Sequence, residues 1–308
     1  MTKPLILITG VMRSGTSFLT RALNLCGVYL GEYNELHSTD ISPVDYNLGG
    51  TWESLKVLEL IKKTTSRNSD ATVASSYQVD EDLGQEIYHY TRTLLSHPSL
   101  ACGFKIQMLC IDGWMPYLHK CTDNIIIAAT FRNPVASAQS IIGTHNKIKS
   151  YEEAIAFWKR LNNQLLEVLS RYNAFLFDFD WHRERLFHEI NQSARKIGLI
   201  EGDIKKWHSQ DLKHSTTYDH EHELDGEAQD IYTRLQERSN LNSQINIHPH
   251  KFSEEELKGI IKSLLDLNAF QAESFNRYIR TNRPDLIYEN VIRLAYKAMK
   301  GKIFSKKG

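Results

Sequence analysis

Short apolar runs alternate with stretches of helical periodicity over the first two thirds of the chain. The runs are typical of strands buried on both faces of a sheet, and the stretches between them repeat apolar residues three and four positions apart. The predicted strands are 4–9, 101–105, 124–131 and 174–179, and the predicted helices are 16–26, 51–63, about 80–96, 133–142, 151–171 and 181–197. This alternation predicts an α/β fold in which helices flank a central parallel sheet with right-handed crossovers.

Two stretches depart from the alternation. Residues 28–50 show no clear periodicity and are rich in glycine, which predicts a loop across the top of the sheet, with Thr51 as the N-cap of the next helix. Beyond the last predicted helix the pattern is helical and polar. Because the chain shows no repeat and no long linker, we expect one domain over 1–308, with its core at about 4–200 and a helical C-terminal part at about 201–308.

Composition and charge narrow the class of protein. Hydrophobic residues make up 41% of the 308 residues, which suffices for a full core. Lysine plus arginine equals aspartate plus glutamate at 37 each, which argues against a nucleic-acid or membrane-surface binder. The four cysteines lie in apolar segments without paired spacing, as is typical of reduced core thiols. With no fitting signal peptide and no apolar run of membrane-spanning length, the sequence predicts a cytoplasmic protein.

The stretch GVMRSGTS (10–17) is the first candidate site, because it joins the first predicted strand to the first predicted helix. Such a glycine loop directs backbone N–H groups and the positive end of a helix at one point, where an anion can bind. Gly10 and Gly15 have the spacing of a Walker loop, but Thr16 stands where a nucleoside triphosphatase carries its lysine. Arg13 offers a planar cation that suits phosphate or sulfate oxygens, unless the loop is an ordinary turn with an exposed arginine. The hydroxyl donors of the loop are Ser14, Thr16 and Ser17.

The stretch FRNPVASAQS (131–140) repeats this arrangement after the strongest predicted strand. Arg132 lies at the strand end, Pro134 occupies the first turn of the next helix, and Ser140 follows Arg132 by about two helical turns. Parallel strands end at the same edge of a sheet. Two anion sites at that edge predict a ligand with two separated phosphate groups.

With both loops in one parallel sheet, the sequence resembles the sulfotransferase family over about residues 4–200. GVMRSGTS is similar to the 5′-phosphosulfate loop of protein-tyrosine and many bacterial members, in which arginine replaces the lysine of cytosolic members, and FRNPVASAQS is similar to the 3′-phosphate segment. GFK (103–105) resembles a strand that ends in lysine, although Ile106-Gln107 replaces the usual Asp-Pro. GGTWE (49–53) resembles a Gly-aromatic-Glu stretch of bacterial members.

The resemblance implies a P-loop-type three-layer sandwich, the donor 3′-phosphoadenylyl sulfate and the product adenosine 3′,5′-bisphosphate. It implies transfer of a sulfuryl group to a hydroxyl or an amine, without a required metal. Carried over, the residues that would hold the 5′-phosphosulfate are Arg13, Ser14, Gly15, Thr16 and Ser17, and those for the 3′-phosphate are Arg132 and Ser140. Arg13 and Lys105 would stabilise charge on the leaving phosphate oxygen. The glycine-rich adenine loop of cytosolic members is missing, and LKHS (212–215) is the candidate to replace it.

A base must accept the proton of the acceptor hydroxyl. We favour Glu53, which is expected in the first turn of a helix at the sheet edge and matches the family stretch; alternatively, it only complements the helix dipole. Glu32, Glu35 and His37 stay open as candidates. The acceptor is expected to be a carbohydrate or small metabolite, although a lipid-linked glycan and a peptide tyrosine also fit. The sequence is silent on the oligomeric state.

Two other functions fit parts of the pattern. A P-loop kinase of a small metabolite would need the Walker lysine and a magnesium-binding aspartate after a strand, where this chain has Thr16 and Arg132. A non-catalytic nucleotide-binding protein would keep the fold without turnover.

Three further features are expected to be structural or solvated. The histidines of YDHEHE (218–223) and IHPH (247–250) are typical of exposed loops rather than of a metal site. The basic tail from Lys297 to Gly308 is expected to fray, and it is the one segment for which we consider membrane contact. The remaining feature is a set of aromatic residues expected in the core rather than in an acceptor platform, namely Trp114, Tyr117 and Trp158.

Overall fold

The computed structural model describes residues 3–37, 51–66, 77–144, 148–207, 224–245, 247, 252–253 and 255–260. The strands in this part of the chain are β1 (Leu5–Gly10), β2 (Val28–Tyr29), β3 (Ala101–Lys105), β4 (Ile125–Phe131) and β5 (Ala174–Asp178). They form one parallel sheet in the order β2-β3-β1-β4-β5. The helices are α1 (Thr16–Leu25), α2 (Leu55–Ser66), α3 (Glu81–Ser96), α4 (Ile111–His119), α5 (Pro134–Thr144), α6 (Tyr151–Arg171), α7 (Arg183–Lys196), α8 (Ile204–Trp207) and α9 (Gly226–Asn240).

Helices cover both faces of the sheet, which explains why its strands are apolar throughout. In β1, Leu5 and Leu7 belong to the cluster with α2, α3, α4 and α6, whereas Ile6 and Ile8 belong to the cluster with α1 and α7. All four side chains are fully buried, and each contributes about 1.5–3 kcal/mol of hydrophobic free energy. This three-layer arrangement confirms the predicted α/β fold with a central parallel sheet.

Most element bounds agree with the sequence pattern. The bounds of β3 and α6 coincide with the predicted ones, and the other predicted strands and helices agree to within a few residues, α2 excepted. Helix α3 begins after Asp80, whose carboxylate accepts a hydrogen bond from the Leu83 N–H at 2.9 Å. The apolar periodicity was therefore a sufficient signal for this helix, and the N-cap at Asp80 marks its start in the structure.

The start of α2 was predicted wrongly. The helix begins at Leu55, so Thr51 is not its N-cap and Glu53 is not in its first turn. The N–H groups of Thr51 and Trp52 instead donate to the His37 carbonyl at 3.0 and 2.9 Å. This pairing with a distant segment overrides the local signal of a threonine before an apolar stripe. The two-residue strand β2, inside the segment predicted as a loop, was also missed.

The predicted core aromatics and three of the four predicted core cysteines are buried, whereas the fourth cysteine is only partly buried. Trp114 and Trp158 are fully buried, Tyr117 is 8% exposed, and Cys26 and Cys110 are buried among apolar side chains. Burial raises the pKa of the Cys26 and Cys110 thiols to about 12, so neither is a nucleophile at neutral pH. Across the described ranges we find no helix with the length and apolar character needed to cross a membrane.

The C-terminal part of the chain is described only in pieces, namely α8, α9 and a helical stretch at 255–260. The LKHS segment, the histidines at 220, 222, 248 and 250, and the basic tail lie outside the described residues. The expectations for these segments stay predictions.

Candidate active site

The predicted site residues gather at the carboxyl edge of the sheet. Strand β1 lies between β3 and β4, so the loop after Gly10 lies between the strand ends at Lys105 and Phe131. After β1, the chain adds β2 and β3 on one side of that strand and then crosses over to add β4 and β5 on the other side. The direction in which strands are added therefore reverses at β1. Open parallel sheets bind ligands at such a reversal.

Ser14 fastens the first loop to β4. Its side chain is fully buried, and its hydroxyl oxygen lies 2.6 Å from the Val11 carbonyl, 3.1 Å from the Thr130 carbonyl and 3.0 Å from the Thr130 hydroxyl. Gly10 is needed for this approach, because an added Cβ would lie 2.4 Å from the Thr130 carbonyl oxygen. The Ser14 hydroxyl thus points into the protein beneath the loop, and its role toward a phosphosulfate stays a prediction.

Gly15 opens the helix that follows. It has φ +89°, and an added Cβ would lie 2.1 Å from the ring of Phe179, so glycine is required both for the backbone and for space. Helix α1 has its first intrahelical bond from the Leu19 N–H to the Gly15 carbonyl at 3.0 Å. The N–H groups of Thr16 and Ser17 precede that bond and have no helical acceptor, which is the geometry that favours an anion.

Arg13 joins the first loop to α5, the helix that opens in the second predicted segment. Its Nε donates to the Ser140 Oγ at 2.8 Å, across 127 positions of the chain. Arg13 has φ +68°, a conformation that is uncommon for a residue other than glycine. The predicted 5′ and 3′ phosphate sites are therefore immediate neighbours.

Lys105 connects the favoured base to the first loop. Its Nζ lies 3.1 Å from Glu53 Oε1 and 3.3 Å from the Ser17 Oγ, at the end of β3. The Lys105 and Glu53 side chains are only 16% and 21% exposed. The structure thus brings both residues to the loop that carries Arg13.

Two of the base candidates share one backbone pairing. The His37 N–H donates to the Glu53 carbonyl at 2.9 Å, and the two segments also pair through Leu36 and Ser54. Glu35 and Glu32 are exposed, and Glu32 accepts a hydrogen bond from the Tyr29 hydroxyl at 2.7 Å. Of the four candidates, Glu53 is therefore the one for which the structure gives a contact with Lys105.

Trp52, next to Glu53, has an unusual backbone conformation. Its φ of +57° is an outlier for a bulky side chain and costs on the order of 1–3 kcal/mol. The strain is held because the ring is 5% exposed and lies under the Arg21 guanidinium, 4.1 Å from Cζ to the ring centroid. Next to it, the Ser54 hydroxyl contacts the Tyr90 hydroxyl at 3.0 Å. Burial raises the pKa of Tyr90 to about 12, so this phenol is not the base at neutral pH.

Arg132 lies in a second polar cluster at the ends of β4 and β5. Its Nε donates to Asp180 Oδ1 at 3.3 Å, and the other oxygen of that carboxylate accepts the Asn133 N–H at 2.6 Å. The Arg132 Cζ lies 5.9 Å from the centroid of Phe179, the ring that packs on Gly15. Phe179 thus lies close to both Gly15 in the first loop and Arg132 at the end of β4.

Asp178 adds a titratable group beneath this cluster. Burial raises the pKa of its carboxyl to about 6, partly offset by the hydrogen bond that it accepts from the Asp180 N–H at 2.9 Å. The charge of Asp180 raises the pKa further.

Sequence reasoning missed the roles of Phe179, Asp180 and Trp52. One signal was available for the first two, because they directly follow a predicted strand, as Arg132 does. The contact of Trp52 with Arg21 has no comparable signal, since it depends on how α1 packs against a distant segment.

Among the described residues, no three His, Cys, Asp or Glu side chains are grouped so that they could hold a metal ion. The charged groups near the loops are instead paired or hydrogen-bonded to one another, as described for Arg13, Lys105 and Arg132.

No protein-family model matches the sequence, and no curated protein sequence does. Among solved structures, the chain is similar to the sulfotransferase STF1 from Mycobacterium tuberculosis H37Rv, with 13% identity and a TM-score of 0.30. This likeness covers 78% of the present chain and 76% of the other. A match at this level carries no argument about the reaction, the donor or the acceptor.

Proposed function

We propose that the chain is a sulfotransferase that moves a sulfuryl group from 3′-phosphoadenylyl sulfate to a hydroxyl or an amine of a carbohydrate or small metabolite. The observation that carries this proposal is the 2.8 Å hydrogen bond between Arg13 and Ser140. It joins the first predicted anion-binding loop to α5, the helix that opens in the second predicted segment. One ribose that bears a 5′ and a 3′ group needs two such neighbouring sites.

The 5′-phosphosulfate would lie at the amino end of α1. The N–H groups of Gly15, Thr16 and Ser17 and the positive end of the helix favour its negative charge. Arg13 adds a cation from the loop itself, and Lys105 approaches from the end of β3, 3.3 Å from Ser17. Ser14 supports this site by fixing the loop to β4.

The 3′-phosphate would lie between Arg132 and Ser140. Arg132 is 11% exposed at its side chain, so its charge is poorly screened by water. Ser140 can accept from Arg13 with one lone pair and donate its own proton to a phosphate oxygen. A donor that lacks the 3′-phosphate would lose both contacts.

The reaction would be an in-line displacement at sulfur. The acceptor oxygen forms the new O–S bond while the S–O bond to the 5′-phosphate breaks, and the electron pair stays on the phosphate oxygen of adenosine 3′,5′-bisphosphate. Glu53 would take the acceptor proton. Arg13, Lys105 and the N–H groups of α1 would stabilise the leaving oxygen. Lys105 lies between Ser17 and Glu53, so it can hold the base on one side and reach the leaving group on the other.

Charge stabilisation would come from side chains in place of a metal ion. Arg13, Lys105 and Arg132 bring three cations to one edge of the sheet. Thr16 cannot supply the charge that a Walker lysine gives a nucleoside triphosphatase. We therefore propose no required metal.

The test is transfer of radiolabelled sulfuryl groups from 3′-phosphoadenylyl sulfate to a panel of oligosaccharides, small hydroxyl and amine metabolites, lipid-linked glycans and tyrosine peptides. We expect label in the carbohydrate or metabolite class, and loss of that transfer in Arg13→Ala. Transfer of the terminal phosphoryl group of ATP to these acceptors, with none of sulfuryl groups, would overturn the proposal in favour of a kinase.

A further inference from the structure

Asp180 lies in a turn that the backbone holds in place. After β5, the Phe179 N–H donates to the Phe131 carbonyl at 2.9 Å, the Asp180 N–H to Asp178 Oδ1 at 2.9 Å, and the Trp181 N–H to the Asp178 carbonyl at 3.2 Å. The turn is thus tied to β4 as well as to itself. These bonds hold the backbone of Asp180 in place, so its carboxylate starts from a fixed position.

Both oxygens of this carboxylate are engaged. Oδ1 accepts from Arg132 Nε at 3.3 Å, and Oδ2 accepts from the Asn133 N–H at 2.6 Å. Asn133 in turn begins α5, since its own side-chain oxygen accepts the N–H groups of Val135 and Ala136 at 2.9 and 3.3 Å. Asp180 therefore joins the arginine to the start of the helix that carries Ser140.

Arg132 is also held at its backbone. Its carbonyl accepts a hydrogen bond from the Trp158 Nε1 at 3.2 Å, and Trp158 is fully buried. With the backbone fixed by Trp158 and Nε fixed by Asp180, the plane of the guanidinium is set. An anion that reaches Arg132 then meets the terminal nitrogens of the fork, the edge that binds phosphate oxygens in pairs.

We propose that Asp180 is a positioning residue for the 3′-phosphate, which it serves by orienting Arg132 and does not itself touch. This inference rests on the proposed function and deepens it. An unrestrained arginine would lose rotamer entropy when a phosphate orders it, whereas Asp180 orders it in advance. Discrimination between nucleotides with and without a 3′-phosphate would thus depend on a carboxylate, despite its negative charge.

Alternatively, Asp180 could compete with the phosphate for Arg132. Its carboxylate would then occupy the phosphate position and would have to move away before the nucleotide binds. The bond from the Asn133 N–H argues against it, because departure of Asp180 would break a 2.6 Å bond at the start of α5. The two roles predict opposite signs, since removal of a competitor strengthens phosphate binding and removal of a positioning group weakens it.

The test compares adenosine 3′,5′-bisphosphate with 5′-AMP by titration calorimetry in the full-length wild type, Asp180→Ala and Asp180→Asn. We expect Asp180→Ala to bind the bisphosphate about 5- to 30-fold more weakly, with 5′-AMP affinity changed less than about 2-fold. Asp180→Asn keeps an oxygen for Arg132 and should recover part of the loss. Glu184→Ala is the matched control, since its ion pair with Lys205 is 62% and 75% exposed, and both affinities should stay unchanged.

Each outcome decides between the two claims. A parallel loss for both nucleotides, or tighter bisphosphate binding in either Asp180 variant, overturns the positioning role. A wild type that binds both nucleotides equally refutes the proposed function instead. If Asp180→Ala fails to fold, Asp180→Asn gives the same comparison of the two nucleotides.

Discussion

Replacement of Glu53 by glutamine is the sharpest test of the chemistry. The change preserves the shape of the side chain and removes its ability to take a proton. In the structure Glu53 forms a 3.1 Å ion pair with Lys105, and its backbone carbonyl accepts from the His37 N–H. The backbone pairing does not depend on the side chain, so the segment should keep its place in Glu53→Gln.

The expected effect on turnover exceeds any effect through stability. Loss of a general base lowers turnover by about 10²–10⁴, which corresponds to roughly 2.7–5.4 kcal/mol of activation free energy. The Lys105–Glu53 pair is only 16% and 21% exposed, so its loss should lower the free energy of unfolding by about 1.5–3 kcal/mol, less where the glutamine oxygen still accepts from Lys105. A domain of ordinary stability, about 5–15 kcal/mol, stays folded after such a loss.

The assay measures turnover and KM with labelled 3′-phosphoadenylyl sulfate, together with calorimetric affinity for adenosine 3′,5′-bisphosphate. Turnover should fall while nucleotide affinity stays within about 3-fold of the wild type. Glu59→Gln is the matched control, because Glu59 pairs with Lys56 at 2.9 Å and Lys63 at 3.0 Å on the exposed side of α2. Near-normal turnover in Glu53→Gln would show that Glu53 is not the base and would move this role to Glu35, His37 or Glu32.

Three further predictions follow from the same site. Arg132→Ala should weaken donor binding by about 1.5–3 kcal/mol, whereas Arg13→Ala should mainly lower turnover; unchanged calorimetric affinity in a folded Arg132→Ala would contradict the placement of the 3′-phosphate. Gly15→Ala should abolish nucleotide binding and lower the melting temperature, because Gly15 has φ +89° and an added Cβ would lie 2.1 Å from a ring carbon of Phe179. Gly226→Ala is the control, since an added Cβ there meets nothing within 4 Å. A Gly15→Ala variant that melts at the same temperature as the wild type would contradict the prediction. The third concerns Asp178, whose pKa is raised to about 6, so the folded state binds this proton more tightly than the unfolded chain. Stability should therefore fall by roughly 2–3 kcal/mol as the pH rises from about 4 to above 6, and Asp178→Asn should melt at a higher temperature than the wild type at pH 8 but not at pH 4; identical pH profiles of melting would disprove it.

The sequence was sufficient for four of the five strands, because those four are buried on both faces of the sheet. A run such as Leu5 to Ile8 can be a strand or a short piece of buried helix, and the glycine loop after it favoured the strand. The two loops were also recognisable, since a strand, a glycine or proline turn and a helix follow one another in the chain.

Contacts between distant segments account for what was missed. The N–H groups of Thr51 and Trp52 pair with His37, which shifts the start of α2 to Leu55. Asp180 reaches Arg132 across 48 positions. Neither contact leaves a periodic pattern in the sequence, because each joins segments that only the folded chain brings together.

The central claim is that one nucleotide with two separated phosphates spans the two loops, and calorimetry on the wild type tests it most directly. We expect adenosine 3′,5′-bisphosphate to bind at least about 10-fold more tightly than 5′-AMP, since a charge-assisted contact contributes about 1.5–3 kcal/mol. We also expect magnesium to leave this preference unchanged. Equal affinities for the two nucleotides, or tight binding of ATP that requires magnesium, would contradict the account.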